Sequence, residues 1–256
     1  MRPLLLSPPR TRSTILYDMC ENYVLKETNL LPSKGHSEPF LQIAHNRLMQ
    51  GNPMEVQPVL GSESLTFNYA WPWTYADNRD SVLGKLKQFK QAKDEGREYY
   101  FKATLNVACA LDEFFEVFGD RDIILTLRKD YRSLFYSALF AMSVGMFHAR
   151  EHNKNEYVQK RVDGVTVKTF ALDLVDWMVE MVSKMYKIDT PHIVYYEDMD
   201  TQEDLEKIVS NILGTAEWSD HRPKKPPLKI MTNYEKTILN FNEVHDVVEE
   251  AINKHF

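Results

Sequence analysis

The chain has 256 residues, of which 43% are hydrophobic, and its formal net charge at pH 7 is −6. This length suits one large domain or two small ones. The negative charge argues against a general nucleic-acid or anionic-membrane binder, because such proteins usually carry a basic excess. Any anion-binding site in this chain must therefore be local.

Four short apolar segments are typical of buried β-strands. They are the segments 3–7, 99–104, 123–128 and 192–197. Each is followed by a helical pattern, and apolar strands that alternate with helices indicate a parallel sheet that is covered on both faces. The sequence therefore predicts an α/β fold of three layers, in which a mostly parallel central sheet is flanked by helices.

Several helices have recognisable ends. The segment 104–119 repeats apolar residues at helical spacing and stops at Gly119, which we expect at the C′ position. Another helix begins at Thr201, with Asp204 in the place of the capping-box glutamate, and stops at Gly214. Helical patterns also cover 81–96 and 167–186.

The two cysteines, Cys20 and Cys109, form neither a disulfide framework nor a metal-binding spacing. A reducing cytoplasm is the simplest setting for such a chain. The apolar run 4–6 is too short for the core of a signal peptide. No run approaches the roughly 18 apolar residues that a membrane helix needs. We therefore expect a cytoplasmic protein without a transmembrane segment.

The N-terminal segment LLLSPPRTRSTIL places many polar residues between the first strand and the first helix, which should start at about Ser13. A strand, a tight loop and a helix N-terminus can bind an anion, because the first helical N–H groups lack partners and the helix dipole adds positive potential. Arg10 can form charge-assisted hydrogen bonds with anion oxygens. The hydroxyls of Thr11, Ser13 and Thr14 can donate as well. A capped helix with solvated arginines is the alternative, since the loop has neither a Walker A nor a GxGxxG motif.

Three segments together resemble the sulfotransferases that use 3′-phosphoadenosine 5′-phosphosulfate (PAPS). The loop PRTRST, from Pro9 to Thr14, is similar to the family's phosphosulfate-binding loop, P-[KR]-[ST]-G-[ST]-T. The segment 125–140 resembles the second element, in which an arginine that ends a strand and a serine about eight residues later bind the 3′-phosphate. The segment 192–214 is similar to the family's strand, YED loop and helix ending in LG, and it is the most specific single match.

The resemblance implies a P-loop-like nucleotide-binding fold in a single domain over residues 1–256. It implies in-line transfer of a sulfuryl group from PAPS to a hydroxyl, with release of 3′-phosphoadenosine 5′-phosphate (PAP) and without a metal. The acceptor would be a carbohydrate, a lipid or another small molecule. Nucleic acid is not expected as a partner, and the oligomeric state does not follow from the sequence.

The resemblance assigns the 5′-phosphosulfate of PAPS to Arg10 together with the backbone and hydroxyls of the loop from Thr11 to Thr14, which includes Ser13. Arg12 stands where the family usually has glycine, a residue that permits positive φ and close backbone approach. This arginine predicts a different loop path, an extra charge over the sulfate, or a side chain that faces solvent.

The resemblance assigns the 3′-phosphate to Arg128 and Ser137, and a bidentate guanidinium–phosphate pair suits that task. Arg128 lies nine residues before Ser137, whereas Lys129 lies eight residues before it. Lys129 therefore remains the alternative ligand.

The general base is the least defined part of the predicted site. Many family members end a strand with Lys-Thr-His, whose histidine is the base, but the matching stretch YYFKATLN has Lys102 and then Thr104, without a histidine. Lys102 would stabilise the leaving group. Other members use a glutamate from an early loop, and KGHSEPF offers Glu38 as the first candidate and His36 as the second. A desolvated carboxylate near cationic ligands is a competent base.

Two other functions fit parts of the sequence. The predicted order of strands and helices also fits a P-loop kinase that acts on a small substrate. The sequence lacks a Walker A motif, however, and it has no convincing carboxylate after a strand to bind Mg²⁺. A protein that binds PAP or PAPS and has lost catalysis would explain the missing histidine. The aromatic segment 67–75 is a candidate for the acceptor pocket, and the basic loop 221–229 is a candidate for further cofactor contacts.

Overall fold

The computed structural model describes residues 3–28, 38–40, 54–56, 58–60, 65–67, 77–144, 168–214 and 233–256. His36, the basic loop 221–229 and the aromatic segment 67–75 beyond its first residue lie outside the described residues. Within the described ranges, every helix falls short of the length and apolar character that crossing a membrane requires. In the same ranges, no three His, Cys, Asp or Glu side chains come together as a possible metal site.

The described residues form short strands and mostly longer helices. The strands are β1 (Leu4–Leu6), β2 (Met54–Val56), β3 (Pro58–Leu60), β4 (Leu65–Phe67), β5 (Glu98–Tyr99), β6 (Lys102–Ala103), β7 (Ile123–Leu127) and β8 (His192–Tyr195). The α-helices are α1 (Ser13–Thr28), α2 (Asp77–Asp94), α3 (Leu111–Phe118), α4 (Tyr131–Val144), α5 (Lys168–Tyr186), α6 (Gln202–Leu213), α7 (Tyr234–Thr237) and α8 (Phe241–His255). Two 3₁₀ segments, Leu105–Ala110 and Tyr196–Asp198, precede α3 and follow β8.

The central sheet has four parallel strands in the order β6-β1-β7-β8. Successive residues of β1 point to opposite faces, so that Leu4 and Leu6 enter one hydrophobic cluster and Leu5 enters another. Both faces of the sheet are therefore covered at β1, as expected for parallel strands. This confirms the prediction of an α/β fold with a parallel sheet flanked by helices. The edge strand β8 differs from the buried strand that its apolar run predicts, because only Val194 is buried and Ile193 is 38% exposed.

The segment 99–104 differs from the single strand that its apolar run predicts. Its first residue belongs to β5, which pairs antiparallel with β3, whereas β6 pairs parallel with β1. Between them, Tyr100 is buried in the smaller hydrophobic cluster and Phe101 in the larger one. The chain thus passes from one sheet to another while it stays buried, and an apolar run alone does not reveal a change of pairing partner.

The segment 104–119 is also wrong as one continuous helix. It begins as a 3₁₀ segment that is buried over most of its length, and the helical path breaks at Ala110, with φ −144° and ψ 48°, before α3 starts. Gly119 ends α3 as predicted, but its φ is −67°, so positive φ is not what requires glycine there.

Gly119 and Gly84 form a matched pair for glycine-to-alanine substitution. A Cβ at Gly119 would lie 2.5 Å from the carbonyl oxygen of Phe115, whereas one at Gly84 would meet nothing within 4 Å beyond its own helix. We expect Gly119→Ala to lower the free energy of unfolding by about 1–3 kcal/mol through overpacking. Gly84→Ala should raise it by about 0.5–1 kcal/mol. Urea unfolding followed by circular dichroism measures both changes, and equal effects would contradict this account.

The predicted ends of α6 are confirmed. The Thr201 hydroxyl accepts from the backbone N–H of Asp204 at 3.1 Å, and the Asp204 carboxylate accepts from the backbone N–H of Thr201 at 3.0 Å. Gly214 follows the last turn with φ 67°, in the left-handed region that favours glycine. These signals are local in sequence, so they predict the helix boundaries reliably.

The ion pair of Arg132 with Glu249 links α4 to α8 and should make folding pH-dependent. Two guanidinium nitrogens lie 2.6 and 3.0 Å from the carboxylate oxygens, and this hydrogen bonding lowers the pKa of Glu249. The pKa of Glu249 is lower in the folded chain than in the unfolded chain. The ion pair therefore stabilises the fold at pH values above the unfolded-state pKa, and this stabilisation is lost as the pH falls through the folded-state pKa. From about pH 5 to pH 2, the free energy of unfolding should therefore fall more steeply in the wild type than in Glu249→Gln. If the free energy of unfolding fell equally steeply with pH in both proteins, the contribution of this ion pair would be contradicted.

Candidate functional site

Most of the predicted site residues lie at the carboxyl edge of the parallel sheet, where neighbouring strands end together. Leu6 pairs with both Ala103 and Leu125, and Leu127 pairs with Tyr195. The segments that follow these strands are therefore brought to one edge. Open α/β sheets bind their ligands at this edge.

Thr11 fixes the loop after β1 to the sheet. Its side chain is completely buried, its hydroxyl donates to the carbonyl of Pro8 at 3.0 Å, and it lies 2.8 Å from the hydroxyl of Thr126 in β7. The predicted role of this hydroxyl as a donor to a bound anion is therefore corrected, because the protein interior already engages it. Thr11 positions the loop instead.

Arg10 joins the first predicted element to the second. Its φ is 65°, and its Nε donates a hydrogen bond to the buried hydroxyl of Ser137 in α4 at 2.9 Å. The arginine assigned to the 5′-phosphosulfate and the serine assigned to the 3′-phosphate thus lie in direct contact.

Lys102 lies beside the first turn of α1. Its ammonium group donates to the hydroxyl of Thr14 at 3.0 Å and to that of Ser13 at 3.4 Å. The lysine is only 4% exposed. It also forms an ion pair with Glu38, whose side chain is 13% exposed. The structure therefore brings the predicted base and the predicted leaving-group lysine together at the helix N-terminus.

Glu38 is held in place through its neighbour Phe40. The Phe40 ring is buried among Phe89, Phe101 and Phe114, with centroid distances of 5.9–6.3 Å. Its carbonyl accepts a hydrogen bond from the side chain of Asn106 at 2.8 Å. This anchoring holds the chain two residues after Glu38, and the Glu38 carboxylate itself pairs with Lys102.

Arg128 follows β7 and is 8% exposed. Its guanidinium carbon lies 4.4 Å from the ring centroid of Tyr196, and its Nη1 donates to the carbonyl of Ser133 at 3.3 Å and to the hydroxyl of Tyr234 at 3.4 Å. Its Nε is buried and makes no hydrogen bond to any residue that the structure describes. This Nε lies 3.8 Å from a carboxylate oxygen of Glu197.

The backbone of Arg128 is held by Tyr186 of α5. The phenol accepts from the N–H of Arg128 at 3.1 Å and donates to its carbonyl oxygen. Burial raises the pKa of Tyr186 to about 12, so the phenol remains a donor at neutral pH. The position of Arg128 is thus fixed from both its backbone and its side chain.

Lys129 occupies a different environment from Arg128. Its side chain is 55% exposed, and its ammonium group lies 2.5 Å from the Asp198 carboxylate. This hydrogen bond raises the pKa of Lys129. The two candidates for the 3′-phosphate therefore lie in different environments, Arg128 buried at the end of β7 and Lys129 paired at the surface.

The YED turn, which we define as Tyr196–Asp200, connects the elements of the site. The Tyr196 ring centroid lies 4.4 Å from the guanidinium carbons of both Arg12 and Arg128. The Glu197 carboxylate accepts from the two backbone N–H groups that follow Arg128, at 2.9 and 3.3 Å. The turn therefore organises both the loop after β1 and the end of β7.

Arg12 adopts φ 58°, so its backbone takes the left-handed conformation that usually selects glycine. Its side chain is 11% exposed, and its Nη1 donates to the Met199 carbonyl and, at 3.0 Å, to the Asp200 carboxylate. Of the three alternatives for Arg12, a side chain that faces solvent is therefore wrong. The guanidinium turns toward the YED turn.

Several residues that shape the site are not indicated by the sequence. Asn106 had a weak signal, since it is a polar residue within an apolar run. Thr126 had the same signal, since it is the polar residue within the apolar strand β7. Tyr186 and Tyr234 lie far along the chain from Arg128, which they contact, and nothing in their own surroundings marks them.

No family model matches the chain, and the comparisons with curated proteins and with solved structures found no match either. A function must therefore be argued from the residues of the site.

Proposed function

We propose that this protein is a sulfotransferase that transfers a sulfuryl group from PAPS to a hydroxyl of a carbohydrate, lipid or small-molecule acceptor. The observation that carries the proposal is the convergence of three segments that resemble one family. Arg10 contacts Ser137, which is 127 positions away, and Arg12 and Arg128 both contact Tyr196. The P-loop-like sulfotransferase fold is part of the same proposal.

The proposal assigns the two anionic ends of PAPS to two groups of residues. Arg10, the first turn of α1 and the hydroxyls of Ser13 and Thr14 would bind the 5′-phosphosulfate. Arg128 would bind the 3′-phosphate. A buried donor without a partner costs about 1–3 kcal/mol, and a phosphate oxygen at the Nε of Arg128 would remove this cost.

Glu38 and Lys102 supply the groups that the reaction requires. PAPS provides an activated sulfuryl group. As the acceptor oxygen attacks sulfur, Glu38 would take the hydroxyl proton, and the bond between sulfur and the phosphate oxygen would break. The leaving oxygen keeps the electron pair, and the Lys102 ammonium would stabilise its negative charge. Both groups are shielded from solvent, which strengthens these interactions.

The proposal is tested by incubating the protein with PAPS and a panel of hydroxyl acceptors. Chromatography measures PAP release, and mass spectrometry identifies the sulfated product. We expect acceptor-dependent release of PAP that persists in the presence of EDTA. Transfer of phosphate from ATP with Mg²⁺, without transfer from PAPS, would indicate a kinase. PAP binding without transfer to any acceptor would indicate an inactive binding protein.

A further inference from the structure

The loop after β1 contains two residues in the left-handed region although each carries a Cβ, Arg10 with φ 65° and Arg12 with φ 58°. Left-handed conformations of non-glycine residues cost free energy and persist only where surrounding contacts enforce them. Arg10 is held by Ser137 and the intervening Thr11 by Pro8 and Thr126. The contacts of the Arg12 side chain are a further support for this loop shape.

Among the described residues, the contacts of the Arg12 side chain come from the YED turn, while its carbonyl accepts from the N–H of Ile15 at 3.1 Å. The Arg12 guanidinium donates to the Met199 carbonyl and to Asp200, and it packs over the ring of Tyr196. Hydrogen bonds from a charged donor and the contact of a guanidinium with an aromatic face are each favourable. The Arg12 side chain is 11% exposed, which strengthens its contacts with Met199 and Tyr196, whereas the Asp200 side chain is 55% exposed and its pair with Arg12 is weaker.

The YED turn also fixes the other half of the proposed site. Tyr196 packs against the guanidinium of Arg128, and Glu197 binds the two backbone N–H groups that follow Arg128. Arg12 therefore connects the loop proposed for the 5′-phosphosulfate with the residue proposed for the 3′-phosphate. A change in the Arg12 contacts would alter the placement of one half relative to the other.

We propose that Arg12 is a positioning residue that couples the two anion-binding halves through the YED turn, and that it is not a ligand of the sulfate. This inference rests on the proposed function, since PAPS and PAP are the ligands in question. A glycine at this position would adopt the same backbone conformation without strain, but it would lose the connection to Asp200 and Tyr196.

PAP and PAPS binding to two single variants and their double variant tests the inference by calorimetry at a temperature where all are folded. PAP lacks the sulfate. Arg12→Gly should lower the affinity for both ligands by the same factor, about tenfold. Asp200→Asn should lower both by about threefold. The double variant should lose no more than Arg12→Gly alone, because Asp200 acts through Arg12.

A matched control is Asp120→Asn, which neutralises an exposed aspartate paired with Lys93 and lying just before β7, at the opposite edge of the sheet. It should leave both affinities unchanged. If Arg12→Gly weakened PAPS much more than PAP, Arg12 would be a sulfate ligand and the inference would be overturned. If Arg12→Gly lowered the midpoint of thermal unfolding without changing the affinity for PAP or PAPS, Arg12 would stabilise the fold only. That result would also overturn the inference.

The failure of the proposed function is distinguishable from these outcomes. If the wild type binds neither PAP nor PAPS, the proposed function is wrong. The coupling of the loop after β1 to the YED turn is then tested by a double-mutant cycle of unfolding free energies for Arg12→Gly and Asp200→Asn. Non-additive effects would support the coupling of loop and turn, and additive effects would overturn it.

Discussion

Replacing Arg128 by lysine should lower the affinity for PAP by about tenfold to a hundredfold. Lysine keeps the positive charge, but it cannot offer a phosphate two parallel hydrogen bonds, and it loses the planar contact with Tyr196. Lys129→Ala provides the matched comparison at the next position. Because Lys129 is paired with Asp198 at the surface, this variant should change the affinity less than about threefold. Calorimetric titration with PAP measures both effects.

The control ligand for this comparison is 5′-AMP, which lacks the 3′-phosphate. Its affinity should be almost the same for the wild type and Arg128→Lys. A larger loss of PAP affinity in Lys129→Ala than in Arg128→Lys would reverse the assignment of the 3′-phosphate ligand. If Arg128→Lys lowered the affinities for PAP and 5′-AMP equally, Arg128 would not bind the 3′-phosphate.

Replacing Glu38 by glutamine should lower kcat for sulfuryl transfer by about 10²- to 10⁴-fold. The amide has nearly the shape of the carboxylate and still accepts a hydrogen bond from Lys102, but it cannot take up the acceptor proton. PAP affinity should not fall, because Glu38 is not proposed to bind the donor. Steady-state rates of PAP release, measured with a saturating acceptor, provide the test.

Glu249→Gln is the control for the loss of a carboxylate from an ion pair, since Glu249 pairs with Arg132 between two helices. It should leave kcat unchanged. Thermal unfolding confirms that both variants are folded. If Glu38→Gln keeps kcat within about threefold of the wild type, Glu38 is not the base, and His36 becomes the candidate to replace.

The features of the fold that are encoded locally could be predicted from the sequence. The capping box of Thr201 and Asp204 and the left-handed Gly214 are determined by residues within one turn. The four apolar segments also predict the parallel sheet, because strands that are buried along their whole length, as β1 and β7 are, consist mainly of apolar residues. Pairing partners are not local, and the division of 99–104 between two sheets was therefore missed.

The candidate site could be predicted only as far as the identity of its charged residues. The sequence indicates Arg10, Lys102 and Arg128, but it does not show which groups occupy their donors. The hydroxyl of Thr11 is an example, because its partner Thr126 is 115 positions away and lies inside the sheet. The direction of the Arg12 side chain likewise depends on the YED turn, which comes near the loop only in the folded chain.

Calorimetry of PAP and of ATP with Mg²⁺, on the wild type and on Arg10→Ala, is the sharpest test of whether this protein uses PAPS. The wild type should bind PAP without added metal and at least about tenfold more tightly than ATP. Arg10→Ala should weaken PAP binding by about tenfold or more, because a charge-assisted contact to the 5′-phosphate is lost. Failure of the wild type to bind PAP, or equal PAP affinities of the wild type and Arg10→Ala, would contradict the proposed use of PAPS.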